Sequence, residues 1–390
     1  MSGAQMYMRN KLCFLVNNGW NVLVLYYTDG PVLIDELVKF IPNRIPVLEK
    51  TVQTVSDKDV SDVIGKVRQM IPEGSDVVIE SLDFNLAFWG EILAQSFGGK
   101  HLFYPLTEKI PVARGRERDF LAAKYRRGEF VAPNSRVKLT LPDIEPDESH
   151  LYFELPSYSN VVSTEKIDLS YDKEWPVVLS LGRLEKTYIK PMLAEIIKFC
   201  EANDVTINLF VVGSAPNQRT VDKVRQIIDS CKKIKPRYFG YMYPIPLDII
   251  RAADVAIASS GSVYVTYGQG IPTIAIDIDT HNAIGVYGHT TFAKIRTTEP
   301  IVSTSELLED ILLRKKYSKS SPTDTDGTEK SDNIFRQHLE VISSSSQEKQ
   351  YYDVQSIYST LQRAIAKTKF AILKALNKLN LYHPDMSFRN

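Results

Sequence analysis

Arg183 and Lys186 are the residues of this 390-residue chain whose type and setting speak most directly to chemistry. They follow the apolar run Val177–Leu181 and Gly182, in a segment that reads VVLSLGRLEKTYIK and closes on Lys190. A short buried strand that ends in glycine and cations places positive charge at the carboxyl edge of a sheet, where open α/β sheets bind ligands. Arginine supplies a planar donor fork and lysine a point charge, which together suit a diphosphate. A single loop of this kind reads equally well as a solvated strand-to-helix connection. Further strand ends carry small residues in order: Gly213-Ser214-Ala215-Pro216, Phe239-Gly240-Tyr241, Ser259-Ser260-Gly261-Ser262 and Gly270-Ile271-Pro272. Small residues let a ligand come close to the backbone. Ser260, Gly261 and Ser262 also open a helix whose first N–H groups can cradle phosphate.

The elements that must position these residues follow from hydrophobic periodicity. In the second half, Val177–Leu181, Ile207–Val212, 237–239, Val255–Ala258 and 273–278 read as short buried strands. Helical stretches over 191–202, 220–232 and 246–253 separate them. The first half repeats the pattern, with strands over 22–27, 77–81 and 101–106 and a helix over 85–96. Continuous apolar strands alternating with helices indicate parallel sheets covered on both faces. A chain of this length also exceeds what one core usually supports. The expected fold class is therefore α/β, with two Rossmann-like doubly wound domains over 1–170 and 171–315. The segment 133–176 closes the first and crosses to the second. A polar linker follows over 316–350, with its most polar parts at 318–332 and 343–349, then a basic amphipathic helix over 351–390, helical from about 353 to 381. The chain opens on Ser2-Gly3-Ala4-Gln5, which looks like the loop leaving a first strand; that strand would be missing from the sequence as given.

In order and spacing these motifs resemble the C-terminal half of GT-B glycosyltransferases, family 4 in particular. The matching residues are Gly182-Arg183-Leu184 with Lys186 or Lys190, Gly213-Ser214-Ala215-Pro216, Gly240-Tyr241, Ala253-Asp254-Val255 with Ser259-Ser260, and Gly270-Ile271-Pro272-Thr273-Ile274. The opening 2–7, with Leu15 and Gly19-Trp20-Asn21-Val22, is similar to that family's N-terminal glycine loop and first helix. The resemblance implies two domains facing a cleft and transfer of a sugar, of hexosyltransferase type, from a nucleotide-sugar donor. The acceptor would be a glycan or a lipid-diphosphate-linked sugar in bacterial cell-surface polysaccharide synthesis. It places Arg183 and Lys186 on the donor diphosphate, with Lys190 as the competing lysine and Gly213-Ser214 as the adjoining turn. It places Gly240 and Tyr241 around the base, Ser260, Gly261 and Ser262 near phosphate or ribose, and Gly3 on the diphosphate from the other domain.

The chain also departs from that pattern. The family's two glutamates seven residues apart have no counterpart, since 259–269 holds no carboxylate. The histidine after the fourth N-domain strand is replaced by Pro105-Leu106-Thr107-Glu108. No catalytic residue is assigned, and a second reading stays open: a non-catalytic GT-B subunit that activates or stabilises a partner transferase. A nucleotide-sugar epimerase of the same fold is a third reading, and it needs cleft carboxylates and a histidine that this half-site scarcely offers. Asp277-Ile278-Asp279 matches the D-x-D of metal-dependent transferases, but capping of a turn is the better reading. With cations to neutralise the leaving diphosphate, no metal and no cofactor beyond the donor are expected.

Charge completes the reading. Lys plus Arg and Asp plus Glu each number 47, so no global field draws the chain to nucleic acid. Arg114, Arg116, Arg118, Lys124, Arg126 and Arg127 form a basic run that reads either as a solvated helix face or as a seat for an anionic acceptor. In the last helix, Arg363, Lys367, Lys374 and Lys378 share a stripe opposite Leu361, Ile365, Ile372, Leu376 and Leu379. Such a helix either lies on an anionic membrane surface through 361–380 or packs back onto the first domain. Cys13, Cys200 and Cys231 are scattered, without zinc-ligand spacing, which suits a reducing compartment. No apolar run reaches the length of a membrane span. The expected location is cytoplasmic, peripheral on the inner face of the membrane.

Overall fold

The structure, a computed structural model, describes residues 3–27, 34–40, 43–51, 53–106, 112–146, 156, 162–215, 217–298, 300–322, 327–344, 350–358 and 360–378. By contact the chain divides into two units. One comprises Met1–Asn10 with Pro156–Ser331, the other Lys11–Leu155 with Asp332–Asn390.

The unit of Lys11–Leu155 takes the second part of α1 (Gly3–Asn17) and adds α2 (Asp57–Arg68), α3 (Phe84–Phe97), α4 (Gly115–Arg126) and α5 (Asn134–Thr140). Its strands are β1 (Leu25–Tyr26), β2 (Asn43–Arg44), β3 (Val78–Ser81) and β4 (Lys100–Phe103). β1 pairs with β2 and β3 with β4, both in parallel, and Phe103 bridges in parallel to Phe130. Local chemistry sets the helix ends. Ser56 and Asp59 form a reciprocal capping box on α2, while Asp83 caps α3 and Gly98, at φ +61°, ends it. The core gathers Trp89, Phe103, Phe120 and Phe130, with the Phe103 and Phe130 rings stacked at 5.2 Å. β2 has no apolar signal in its sequence, and it was not expected.

The unit of Pro156–Ser331 holds β5 (Val162–Ser163), β6 (Val177–Leu181), α6 (Ile189–Ala202), β7 (Ile207–Val212), α7 (Gln218–Asp229), β8 (Ile234–Gly240) and β9 (Ile245–Pro246). It continues through α8 (Leu247–Ala252), β10 (Val255–Ala258), α9 (Gly261–Tyr267), β11 (Thr273–Ile276), β12 (Ala283–Val286) and α10 (Thr304–Leu308), which a π-helical turn, Glu309–Leu313, extends. The six-stranded sheet runs β12-β11-β10-β6-β7-β8, parallel except for β12 against β11. Alternation fills both faces. Val178, Leu209 and Val211 meet α6 and α7 on one side, while Val177, Leu179, Phe210 and Val212 face Ile249 and Ile250 of α8 on the other. This is a doubly wound sheet whose strand order reverses between β6 and β10. The antiparallel β12 escaped the sequence reading, because four residues including Gly285 give no strand periodicity.

After Ser331 the chain returns to the other unit. Residues 327–344, which the sequence reading placed in a polar linker, form α11 (Gly327–Ser344). Ile334, Val341 and Ile342 fall on one helical stripe and pack with Leu102, Tyr104 and Val131, while Phe335 meets Phe14 with centroids 5.5 Å apart. A short 3-10 helix, Val354–Ile357, buries Val354 and Ile357 in the same unit's core. The last helix is α12 (Thr360–Lys378). Its Ile365 and Ile372 are 60% and 54% exposed, so these apolar residues do not pack back onto the fold. Leu379 lies outside the described residues. Among the described residues no helix is long and apolar enough to cross a membrane.

Candidate functional site

Register brings the expected strand ends together. Leu181 lies beside Val212 on one flank and Ala258 on the other, so the segments after β6, β7 and β10 leave the sheet side by side. Backbone bonds knit them further. Gly182 N–H donates to the Val212 carbonyl (3.0 Å), Leu184 N–H to Ser214 (3.0 Å) and Gly213 N–H to Gly240 (2.8 Å). Gly213 is required here. Its φ is +142°, and a Cβ would stand 1.9 Å from the Gly182 carbonyl oxygen.

On this frame Arg183 follows β6, with its guanidinium 2.9 Å from the Glu185 carboxylate. Tyr241 follows β8 and is 40% exposed. Burial raises the pKa of its hydroxyl, the Glu185 carboxylate raises it further, and Arg183 opposes both, so the three side chains share one neighbourhood. Lys186 closes the Arg183 turn, donating its N–H to the Arg183 carbonyl (3.3 Å), and its side chain is half-buried. Lys190 lies in the first turn of α6 with an exposed side chain. At the β10 end, Ser260 holds φ +60° and ψ −136°, a strained conformation for a residue with a side chain. Its N–H donates to the Lys294 carbonyl (2.6 Å), and the Lys294 ammonium binds the Tyr264 hydroxyl (2.6 Å). Gly261 and Ser262 form the first turn of α9. Gly3 is the first residue of α1, on a helix rather than in a loop. Ser2, Pro216 and Glu108 lie outside the described residues.

Asp277 caps a turn. Its carboxylate accepts from Asp279, Thr280 and Thr297 N–H (2.8, 2.9 and 3.0 Å). Burial pushes its pKa up, and these donors outweigh burial and hold it below the usual range. Asp279 pairs instead with Arg296.

In the other unit, the basic run is largely engaged by its own fold. Arg116 donates to the Ser356 carbonyl, Arg127 to Gln350, and Arg118 binds Asp143 and Asp119. Lys124 is buried between Glu91 (2.8 Å) and Glu129 (2.7 Å). Glu91 also meets His101 Nδ1 (3.0 Å), and His101 Nε2 meets the Ser81 hydroxyl (3.0 Å). Hydroxyl, imidazole and carboxylate thus stand in the order of an acyl-transfer triad. The α3 backbone covers them, since a Cβ on Gly90 would lie 2.4 Å from both His101 Nε2 and Ser81 Oγ. With no room for a substrate, this is a buried structural network.

A second cluster, unexpected from the sequence, sits at the ends of β3 and β4. Lys11 of α1 pairs with Glu80, meets His338 Nδ1 of α11 at 3.0 Å, and lies 4.7 Å from the Tyr104 ring centroid. Tyr104 and His338 stack at 5.0 Å. Burial lowers the pKa of Lys11, and Glu80 opposes the shift. The available signal was Glu80 ending an apolar strand. His338 carried none, lying in a stretch read as linker.

No family model and no curated protein matches the chain. Its structure is similar to that of a glycosyltransferase from Rickettsia africae, at 15% identity over 95% of each chain, with a TM-score of 0.55. It is also similar to HepE of Anabaena, solved with UDP and glucose, at 14% identity over 95% of this chain and 96% of that one, with a TM-score of 0.50. At such identities the likeness is one of fold: this is the GT-B architecture, built from two Rossmann-like α/β units.

Proposed function

We propose that the chain is a glycosyltransferase that takes a nucleotide-sugar donor at the carboxyl edge of β6, β7, β8 and β10. The observation that carries this reading is the position of Arg183 where the strand order reverses, beside the turn at Gly213, where a side chain would meet the Gly182 backbone. In transfer, the bond from the sugar's anomeric carbon to the diphosphate breaks and its electron pair stays on the diphosphate. The acceptor oxygen bonds to that carbon, and its proton passes to the departing diphosphate or to water. Arg183, with Lys186, offsets the negative charge that grows on the leaving group, so the reaction needs no metal. The fold likeness to HepE, which was solved with UDP and glucose, makes UDP-hexoses the first donors to try. The acceptor in this reading is a glycan or lipid-linked sugar of a bacterial surface polysaccharide. α12 holds the protein at the inner face of the membrane, since it carries five Lys/Arg, no acidic residue and exposed isoleucines.

Arg183→Ala tests the donor site. A charge-assisted contact contributes roughly 1.5–3 kcal/mol, so UDP affinity and turnover should fall about 10- to 150-fold with the fold intact. Arg183→Lys should recover only part, because lysine lacks the bidentate fork. Unchanged UDP binding by Arg183→Ala would place the diphosphate elsewhere. A wild-type chain that binds no nucleoside diphosphate or nucleotide sugar would favour the non-catalytic subunit.

A further inference from the structure

Strand order fixes where the parts of a donor can lie. With the diphosphate on Arg183 after β6 and the base beside Tyr241 after β8, the sugar must leave on the other flank, at the end of β10. A neutral hexose presents hydroxyls, whose strongest acceptors are carboxylates. The end of β10 has none to offer. Residues 259–269 hold no Asp or Glu, and of the two carboxylates after β11, Asp277 is occupied by three backbone N–H groups and Asp279 by Arg296. The fold brings a cation there instead. Residues 294–297 return along the strand ends, where the Lys294 carbonyl accepts from Ser260 N–H (2.6 Å) and the Ile295 carbonyl from Ile278 N–H (3.0 Å). Thr297 N–H donates to Asp277 (3.0 Å). The Lys294 ammonium donates to the Tyr264 hydroxyl (2.6 Å) and stands 4.1 Å from the centre of that ring. Tyr264 lies three residues into α9, about 4.5 Å from its start, and Tyr287 meets it edge-on at 5.7 Å. Lys294 is thus held half-buried within one helical turn of the end of β10.

We infer that the donor sugar is a uronic acid, a hexose with a carboxylate at C6, and that Lys294 is the residue that selects it. The inference rests on the donor-site reading above and names the sugar for it. An ammonium has three donors and no acceptor, so it suits an anion better than a hydroxyl that must also donate. The sugar carboxylate forms a charge-assisted pair with Lys294, whereas the hydroxymethyl group of a neutral hexose meets it only as a dipole. Half-burial strengthens the pair, because solvent screens it less. The Tyr264 hydroxyl and ring hold the ammonium in place before the sugar arrives, which limits the ordering that binding requires.

The test is calorimetric titration of the full chain with UDP, UDP-glucose and UDP-glucuronate. If GDP binds more tightly than UDP, the set becomes GDP, GDP-mannose and GDP-mannuronate. Wild type should hold the acidic donor about tenfold more tightly than the neutral one, or better. Lys294→Met should erase that preference and leave the bare nucleotide unaffected, while Lys294→Arg, which keeps the charge, should retain most of it. A wild type that binds both donors alike, or prefers the neutral one, overturns the inference, and this comparison stands whether or not the variants fold. A preference that survives in Lys294→Met overturns it as well. So does an equal loss of bare UDP and acidic donor, which would put Lys294 on the diphosphate. The donor-site reading fails separately, and takes this assignment with it, if Arg183→Ala binds UDP as wild type does.

Discussion

Replacing Gly213 by alanine asks whether the close approach of β6, β7 and β8 is what assembles the Arg183 site. The new methyl carbon would stand 1.9 Å from the Gly182 carbonyl oxygen and 2.8 Å from its carbon. Ordinary contact lies near 3.5 Å, so one strand end must move by roughly 1.5 Å. The φ of +142° adds strain for a residue with a side chain, on the order of 1–3 kcal/mol. The displacement also breaks Gly213 N–H to Gly240 (2.8 Å) and Leu184 N–H to Ser214 (3.0 Å). At about 1 kcal/mol each, these bring the expected loss to roughly 3–5 kcal/mol. Gly240→Ala is the control. Its φ is +70° but nothing lies within 4 Å, so only the conformational cost of about 1 kcal/mol remains. Urea unfolding gives both values if the slope with denaturant stays constant, and UDP titration reads the site. Gly213→Ala should lose more stability than Gly240→Ala and should weaken UDP as Arg183→Ala does. If its stability stays within 0.5 kcal/mol of wild type and its UDP affinity is unchanged, the close approach does not build the site.

Stability should also depend on pH through the buried network. Burial, with help from Lys124, lowers the pKa of His101 from 6.5 to about 4. The unfolded chain therefore binds more protons between those values, and stability should fall as pH drops through that window. Glu91 extends the loss: burial raises its pKa, but its bonds to His101 and Lys124 carry it down to about 2, so stability keeps falling below pH 4.5. Thermal unfolding from pH 7.5 to 4.5 checks this, and a flat profile would contradict a neutral His101. Truncation before Thr360 should leave the protein folded, because Val354 and Ile357 remain in the core, while abolishing salt-sensitive sedimentation with anionic vesicles. Sedimentation that survives the cut would move the membrane contact off α12.

The sheet around Arg183 was legible because β6, β7 and β10 are fully buried and write themselves as unbroken apolar runs. The glycines at their ends marked where the backbones touch. β2 and β12 were not legible, since Asn43-Arg44 holds no apolar residue and Gly285 interrupts the four residues of β12. α11 was missed for a different reason. Its polar residues outnumber its apolar ones, and only the spacing of Ile334, Phe335, Val341 and Ile342 shows a buried face. His338 went with it, and with His338 the whole cluster around Lys11.

The return of the chain after Ser331 reverses the order in which the two units can finish folding. During synthesis, the unit of Pro156–Ser331 has all its residues as soon as Ser331 has emerged, since Met1–Asn10 came first. The other unit has all its described strands by then but lacks Ile334, Val341, Val354 and Ile357, which close its core. At 5–20 residues per second, Ala132 waits on the order of 10–40 s for Val354. Through that interval Leu102 and Tyr104, fully buried in the finished fold, are uncovered on the nascent chain. The half translated first is thus the half completed last.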